Sequence, residues 1–101
     1  MNTLRETEIF SDWLNALGDQ RGRARIFARI QAARAGNFGD CESCGDGVSE
    51  MRVHYGPGYR VYFAREGICV YLLIMGGDKG SQTRDIKRAK ALWREIKESE
   101  L

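Results

Sequence analysis

The stretch "MRVHYGPGYRVYF", residues 51–63, decides the fold, because two alternating segments flank a Gly-Pro-Gly turn. Apolar residues fall at every second position of both segments: Met51, Val53, Tyr55, Tyr59, Val61 and Phe63. A period of two predicts strands with one buried face, and the glycines around Pro57 suit a short hairpin loop. We therefore predict a β-hairpin with an apolar face towards the core and a polar face opposite.

The polar face of this hairpin carries the candidate chemistry. If residues 56–58 form the whole loop, the apolar pairs are Tyr55 with Tyr59, Val53 with Val61, and Met51 with Phe63. Arg52 then lies opposite Tyr62, and His54, the single histidine, lies opposite Arg60. One arginine side chain can donate two parallel hydrogen bonds to the oxygens of a phosphate, so this face is suited to binding a phosphate. The alternative is that Glu50, on the same face, neutralises both arginines.

The remaining segments predict an α+β domain. A first strand is expected at about residues 3–7, and residues 39–47 are expected to form a loop. Two helices are expected between them, with the apolar stripes Phe10, Trp13, Leu14 and Leu17, then Ile26, Ile30 and Ala33. Residues 68–75 are apolar on both faces, as in a central strand. A last helix has the stripe Ile86, Ala89, Leu92, Trp93 and Ile96. The predicted order is β-α-α-β-β-β-α in one domain, residues 1–101.

Composition and charge limit the classes of function. The 101 residues are 43% hydrophobic and 30% charged, as in globular proteins. We expect a cytoplasmic protein, because neither a membrane-length apolar run nor the apolar core of a signal peptide is found. The net charge of +2 does not require a nucleic acid, but the cations are clustered on the second and last helices. A polyanion is expected there, at Arg21, Arg25, Arg29, Arg84 and Lys87, unless these are ordinary solvated helix faces.

The segment "MGGDKGSQTRD", residues 75–85, connects the last strand to the last helix and contains Lys79. Loops that leave strand ends often carry functional residues, and glycine-rich backbone before a helix can bind phosphate. The spacing of a Walker-type phosphate loop is absent. The segment also fits a simple connection with Ser81 or Thr83 as the helix N-cap. Both interpretations can hold for the same segment.

Three stretches together resemble a known family: "RARIFARIQAARAGNFGD", "GVSEMRVHYGPGYRVYF" and "IMGGDKGSQTRDIKRAKAL". They are similar to the RelE/ParE superfamily of toxins from bacterial toxin–antitoxin modules, and most similar to the HigB-like addiction module killer proteins. The resemblance covers nearly the whole chain. It implies a RelE-like fold, in which a small curved antiparallel sheet has a helical hairpin on one side and a C-terminal helix.

The resemblance implies one of two activities. RelE-like toxins cleave mRNA on the ribosome without a metal or cofactor, by attack of a ribose 2′-hydroxyl on the adjacent phosphate. Arg52 and Arg60 would then bind the phosphate, Lys79 would stabilise charge, and Tyr62 would stack or relay a proton. His54 would be a general base or acid. ParE-like toxins instead inhibit DNA gyrase and need no such residues.

The same resemblance implies partners. A small helix-turn-helix antitoxin would neutralise the toxin, in a toxin–antitoxin hetero-oligomer, and the ribosome and mRNA would be its targets. A module component that has lost both activities is a third possibility.

The sequence departs from the family pattern at Cys41 and Cys44, where relatives usually carry a basic or aliphatic residue. A single Cys-x-x-Cys pair, Cys41 and Cys44, is weak support for zinc, which needs four ligands. Cys69 and His54 could complete the four ligands, but Cys69 falls in the strand predicted to be buried. We therefore expect reduced, chemically inert cysteines and no metal site.

Overall fold

Residues 1–100 are described by a computed structural model, in which five strands and three helices form an α+β fold. In chain order the elements are β1 (Thr3–Glu6), α1 (Glu8–Ala16), α2 (Gln20–Arg34), β2 (Cys41–Gly45), β3 (Val48–Val53), β4 (Tyr59–Gly67), β5 (Val70–Asp78) and α3 (Gln82–Ser99). A short 3-10 helix, Lys79–Ser81, joins β5 to α3. No helix among residues 1–100 is long and apolar enough to cross a membrane.

The sheet is mixed, with the strand order β1-β5-β4-β3-β2. The α+β class is confirmed, but the predicted order is wrong, because residues 41–45 form an additional strand and a 3-10 helix precedes α3. The purely antiparallel sheet is also wrong, since β1 pairs with β5 in parallel. Residues 41–45 become a strand by pairing with β3, for example Cys41 with Met51, although their polar, glycine-containing sequence has little strand propensity.

The two faces of the sheet each bear a separate core. Helices α1 and α2 cover one face, whose buried residues include Phe10, Ile26, Ile30, Met51 and Val61. Helix α3 covers the other face, whose buried residues include Val48, Tyr62, Ile74, Ala89 and Trp93. The predicted apolar stripes of all three helices are therefore confirmed, and the polar side of the hairpin lies on the face that α3 covers.

The register of the β3–β4 hairpin differs from the prediction by two residues. Val53 pairs with Tyr59, Met51 with Val61, Arg52 with Arg60, and Glu50 with Tyr62. The connection has five residues, 54–58, because Tyr55 has left the ladder: its N–H donates to Val53 O at 2.8 Å, and its carbonyl accepts from Gly58 N–H at 3.1 Å. A shift of two preserves which residues share a face but changes every cross-strand partner.

Strand β5, the second strand of the β4–β5 hairpin, begins later in the sequence than predicted. Strand β5 starts at Val70, so Ile68 and Cys69 form the turn rather than the start of a buried strand. Ile68 is 85% exposed, and Cys69 is exposed with a φ of +62°. The cause is the tight connection to β4, which ends at Gly67.

Two close contacts hold the helices to the sheet. The Asp19 carboxylate caps α2 by accepting from Gly22 N–H at 2.9 Å, and it also accepts from the Tyr59 hydroxyl at 2.7 Å. Gly76 of β5 lies directly against the Trp13 ring of α1, where a Cβ atom would overlap the indole. Glycine is therefore required at this position for the helix to reach the sheet.

Candidate nucleic-acid interface

A buried carboxylate organises the polar residues beneath α3. Glu50 is 3% exposed, and its carboxylate accepts from the side-chain amide of Gln82 at 2.9 and 3.0 Å. Arg60 Nε lies 3.4 Å from Glu50, and an Arg52 nitrogen lies 3.7 Å from it. We call these four residues the Glu50 network. Glu50 therefore neutralises the two arginines, as the alternative interpretation of the sequence proposed.

The two arginines differ in how far they are committed to this network. Arg60 is buried, and Glu50 is its ion-pair partner among the described residues. Arg52 is half-buried and also pairs with Glu42 and, at 4.0 Å, with Asp40. Burial alone would lower the pKa of Arg52, but the hydrogen bond to Glu42 and the nearby carboxylates of Glu50 and Asp40 raise it. Both guanidinium groups are thus already matched by acids.

Tyr62 is fully buried in the core beneath α3 and cannot stack on a base, so the predicted stacking role is wrong. Its hydroxyl has no hydrogen-bond partner among residues 1–100, and the same holds for Nε of Arg52 and of Arg60. Burial, followed by the negative charge of Glu50, raises the pKa of Tyr62 well above its ordinary value. The phenol therefore remains protonated near neutral pH and can act as a hydrogen-bond donor.

A cationic groove of about 720 Å³ lies at the start of α3, beside the Glu50 network. Its lining residues are Lys79, Gly80, Ser81, Gln82, Thr83, Arg84, Lys87 and Arg88. Four of these are cations and none is an acid, so the groove favours an anion. Gln82 both lines the groove and hydrogen-bonds Glu50, which connects the groove to the buried network. The structure thus places the predicted residues Lys79, Arg84 and Lys87 together.

The predicted histidine lies elsewhere. His54 is in the hairpin loop, largely exposed, with Nε2 2.5 Å from the Asp40 carboxylate. It is no longer opposite Arg60 because of the register shift. The hydrogen bond from His54, together with the charge of Arg52, lowers the pKa of Asp40. His54 therefore belongs to an exposed pair outside the cationic groove.

The predicted arginines of α2 lie across the sheet from the cationic groove, because α2 and α3 cover opposite faces. Arg21 and Arg25 are exposed, and the Arg25 guanidinium lies 4.9 Å from the centre of the Tyr55 ring. Arg29 has a structural role instead, since it donates to the carbonyl oxygens of Phe38, Asp40 and Arg52. One continuous surface cannot include both sets of predicted RNA-binding residues.

The cysteines are free thiols: Cys41 and Cys69 are exposed, and Cys44 is half-buried. Burial, and then the charge of Glu50, raises the pKa of Cys44. Within residues 1–100, no three His, Cys, Asp or Glu side chains are grouped so that they could hold a metal ion.

A comparison with known proteins identifies a relative of similar length. The chain is 43% identical over 93 residues to a protein of Haemophilus influenzae described as an uncharacterized protein, covering 92% of this chain and 94% of the relative. The chain belongs to the family of this protein. No protein-family model matches the chain. The similarity extends over nearly the whole length of both chains.

Two polar residues of this site, Gln82 and Arg88, were not predicted from the sequence. Only the hydrogen bonds to Glu50 reveal the importance of Gln82. Arg88 was not among the predicted RNA-binding residues, although its position one residue after Lys87 would have allowed the prediction.

Proposed function

We propose that the chain is a toxin of the RelE/ParE type that binds RNA in the cationic groove and inhibits translation by cleaving ribosome-bound mRNA. One observation carries the proposal: the groove has four cations and no acid among its lining residues, and lies beside the Glu50 network. Charge of this kind binds phosphates, and it stabilises the additional negative charge of a phosphate under attack. The sequence resemblance supports the same activity.

The proposed chemistry needs no metal and no cofactor. The RNA 2′-hydroxyl gives its proton to water and attacks the adjacent phosphorus, the bond to the 5′-oxygen of the next nucleotide breaks, that oxygen takes a proton from water, and a 2′,3′-cyclic phosphate is formed. Lys79, which is exposed at the start of the 3-10 helix, would stabilise the charge on the phosphate. Arg60 is paired with Glu50 and Tyr62 is fully buried, so both would support the groove from beneath without contacting the RNA. The partners would be the ribosome, mRNA and a helix-turn-helix antitoxin.

Primer extension on translated mRNA after brief induction tests this proposal. Wild type should give cuts in phase with codons, and Lys79→Gln should lose about a hundredfold of this cleavage, as when one charge-stabilising donor is removed. Arg65→Gln is the matched control, because Arg65 is an exposed cation of β4 outside the groove and should retain full cleavage. Intact mRNA with the wild-type chain would refute the nuclease.

Tyr62→Phe separates a catalytic hydroxyl from a structural ring. The hydroxyl has no partner among the described residues, so its removal should leave the stability unchanged. Reduced cleavage by a stable Tyr62→Phe variant would give the hydroxyl a role in the reaction. The Arg60→Ala variant is less informative, because it would remove the closer of the two ion pairs of the buried Glu50 and destabilise the fold.

A second candidate function is a ParE-like inhibitor of DNA gyrase without nuclease activity. The observation that favours it is that Glu50 neutralises Arg52 and Arg60, while Tyr62 is covered by α3. A binding protein needs no free catalytic group at this place. Inhibition of supercoiling by the purified protein, with mRNA intact, would favour this function over the first.

A further inference from the structure

Helix α3 distributes its charges unevenly between its two flanks. The flank facing the β2–β3 turn borders a groove of about 310 Å³ lined by Lys90, Arg94 and Lys97, with Asp46, Gly47 and Trp93. A groove along α3 that also involves the start of α1 is lined by Glu8 and Glu95 and by no lysine or arginine. An evenly solvated helix would not separate its charges in this way, so the basic flank needs an explanation of its own.

The basic flank has a wall formed by the β2–β3 turn. Gly47 has a φ of +82°, and a Cβ atom there would lie 3.1 Å from Trp93 Nε1, so the turn lies directly against the helix. Lys97 Nζ lies 5.5 Å from the centre of the Trp93 ring. Lys90 Nζ lies 3.7 Å from the carboxylate of Asp46, the single acid of this groove. The result is a groove with cations along its helical side.

The cations of this flank continue from the cationic groove without a break. Lys87 lines the cationic groove, and Lys90, Arg94 and Lys97 follow it at steps of three, four and three residues on one side of α3. These steps correspond to about 4.5 to 6 Å along the helix axis. The spacing is comparable with that of successive phosphates on an extended strand. Arg94 and Lys97 are exposed and form no ion pair within residues 1–100.

We propose that this flank is a second phosphate-binding segment, which extends the cationic groove so that α3 holds several nucleotides of single-stranded RNA by their backbone. The choice of RNA rests on the proposed function. The β2–β3 turn at Gly47 bounds the groove on the side opposite the cations of α3. The segment has lysines and arginines but no exposed aromatic or amide side chain among its lining residues, so it binds phosphates without reading bases.

Fluorescence anisotropy with labelled 2′-O-methyl oligouridine, which lacks the attacking hydroxyl, tests the proposal. A tetramer fills only the cationic groove, whereas a dodecamer also reaches Lys97. Arg94→Gln/Lys97→Gln should weaken dodecamer binding at least about tenfold at about 50 mM salt, and should reduce the slope of log affinity against log salt by about 1.4. Tetramer binding should be unchanged. Arg5→Gln/Arg65→Gln removes the same charge from exposed residues elsewhere and should retain dodecamer affinity and slope.

Several results would overturn the proposal. These are no dodecamer binding by wild type, an unchanged dodecamer affinity in the Arg94/Lys97 variant, and an equal loss in the Arg5/Arg65 control. Tighter binding of duplex DNA of the same length would assign the flank to a duplex instead.

The proposed function is tested separately by translation after induction. If the wild type arrests translation but the Arg94/Lys97 variant binds the dodecamer with unchanged affinity, only the second phosphate-binding segment is refuted. If the variant specifically loses RNA binding but the wild type does not arrest translation, only the toxin activity is refuted.

Discussion

Replacing Glu50 by glutamine should destabilise the protein strongly. At 3.4 Å, the attraction between Glu50 and Arg60 is about 5 kcal/mol for an effective dielectric constant of about 20. Glutamine keeps one oxygen as an acceptor but leaves the buried Arg60 charge without a counter-charge. We therefore expect a loss of about 3 kcal/mol in the free energy of unfolding, the usual result of breaking a buried ion pair. For a chain of this length, that lowers the Tm by about 12 to 24 °C.

Urea unfolding at neutral pH measures this loss, with Glu42→Gln as the matched control. Glu42 also pairs with Arg52, but its side chain is 62% exposed, so its replacement should cost less than about 1 kcal/mol. A double-mutant cycle with Glu50→Gln and Arg60→Gln should give a coupling free energy between the two residues of about 1 to 3 kcal/mol. The reasoning is refuted if Glu50→Gln costs less than about 1 kcal/mol, or no more than Glu42→Gln.

Three further predictions concern the contacts between helices and sheet. Asp19→Ala should lower the free energy of unfolding in urea by about 1 to 2 kcal/mol, because α2 loses its cap and Tyr59 loses its hydrogen-bond partner. Asp19→Asn should lower it less, and equal losses in the two variants would contradict the role of the charged cap. Burial, and then the hydrogen bond to Asp19, raises the pKa of Tyr59 to about 12, so the protonated phenol stabilises the fold fully below pH 10, and this stabilisation is lost as the pH rises to about 12. Tyr59→Phe should flatten that part of the stability profile, and an unchanged slope would exclude the assignment. Gly76→Ala should cost about 1 to 3 kcal/mol and alter the fluorescence of Trp13, whose ring must move; a wild-type Tm and spectrum would contradict the close contact.

The sequence predicted which face of each helix and strand is buried better than it predicted which residues pair across the sheet. Alternation in residues 51–63 is unaffected by a shift of two, so the core face of the hairpin was correct although every cross-strand pair was wrong. Loop length could not be read from Gly56-Pro57-Gly58, because Tyr55 leaves the ladder through backbone hydrogen bonds. Strand β2 was missed because its pairing depends on the free edge of β3 and not on its own composition.

The candidate site was predictable in part for a similar reason. Lys79, Arg84 and Lys87 are close in sequence, so their proximity follows from the start of α3. The burial of Tyr62 could not be predicted, because it depends on which face of the sheet α3 covers. Glu50 carried a readable signal, since it shares the polar face of the hairpin with Arg52 of its own strand and Arg60 of the next, and a carboxylate there is expected to pair with them.

The parallel pairing of β1 with β5 has a consequence for the biogenesis of the protein. Thr3 of β1 pairs with Val70 of β5, so β1 can join the sheet only after β5, the last strand among the described residues, has been synthesised. Closing so large a loop is slow compared with forming the local hairpins of β3, β4 and β5. This edge of the sheet therefore remains unformed in the nascent chain until β5 has been synthesised.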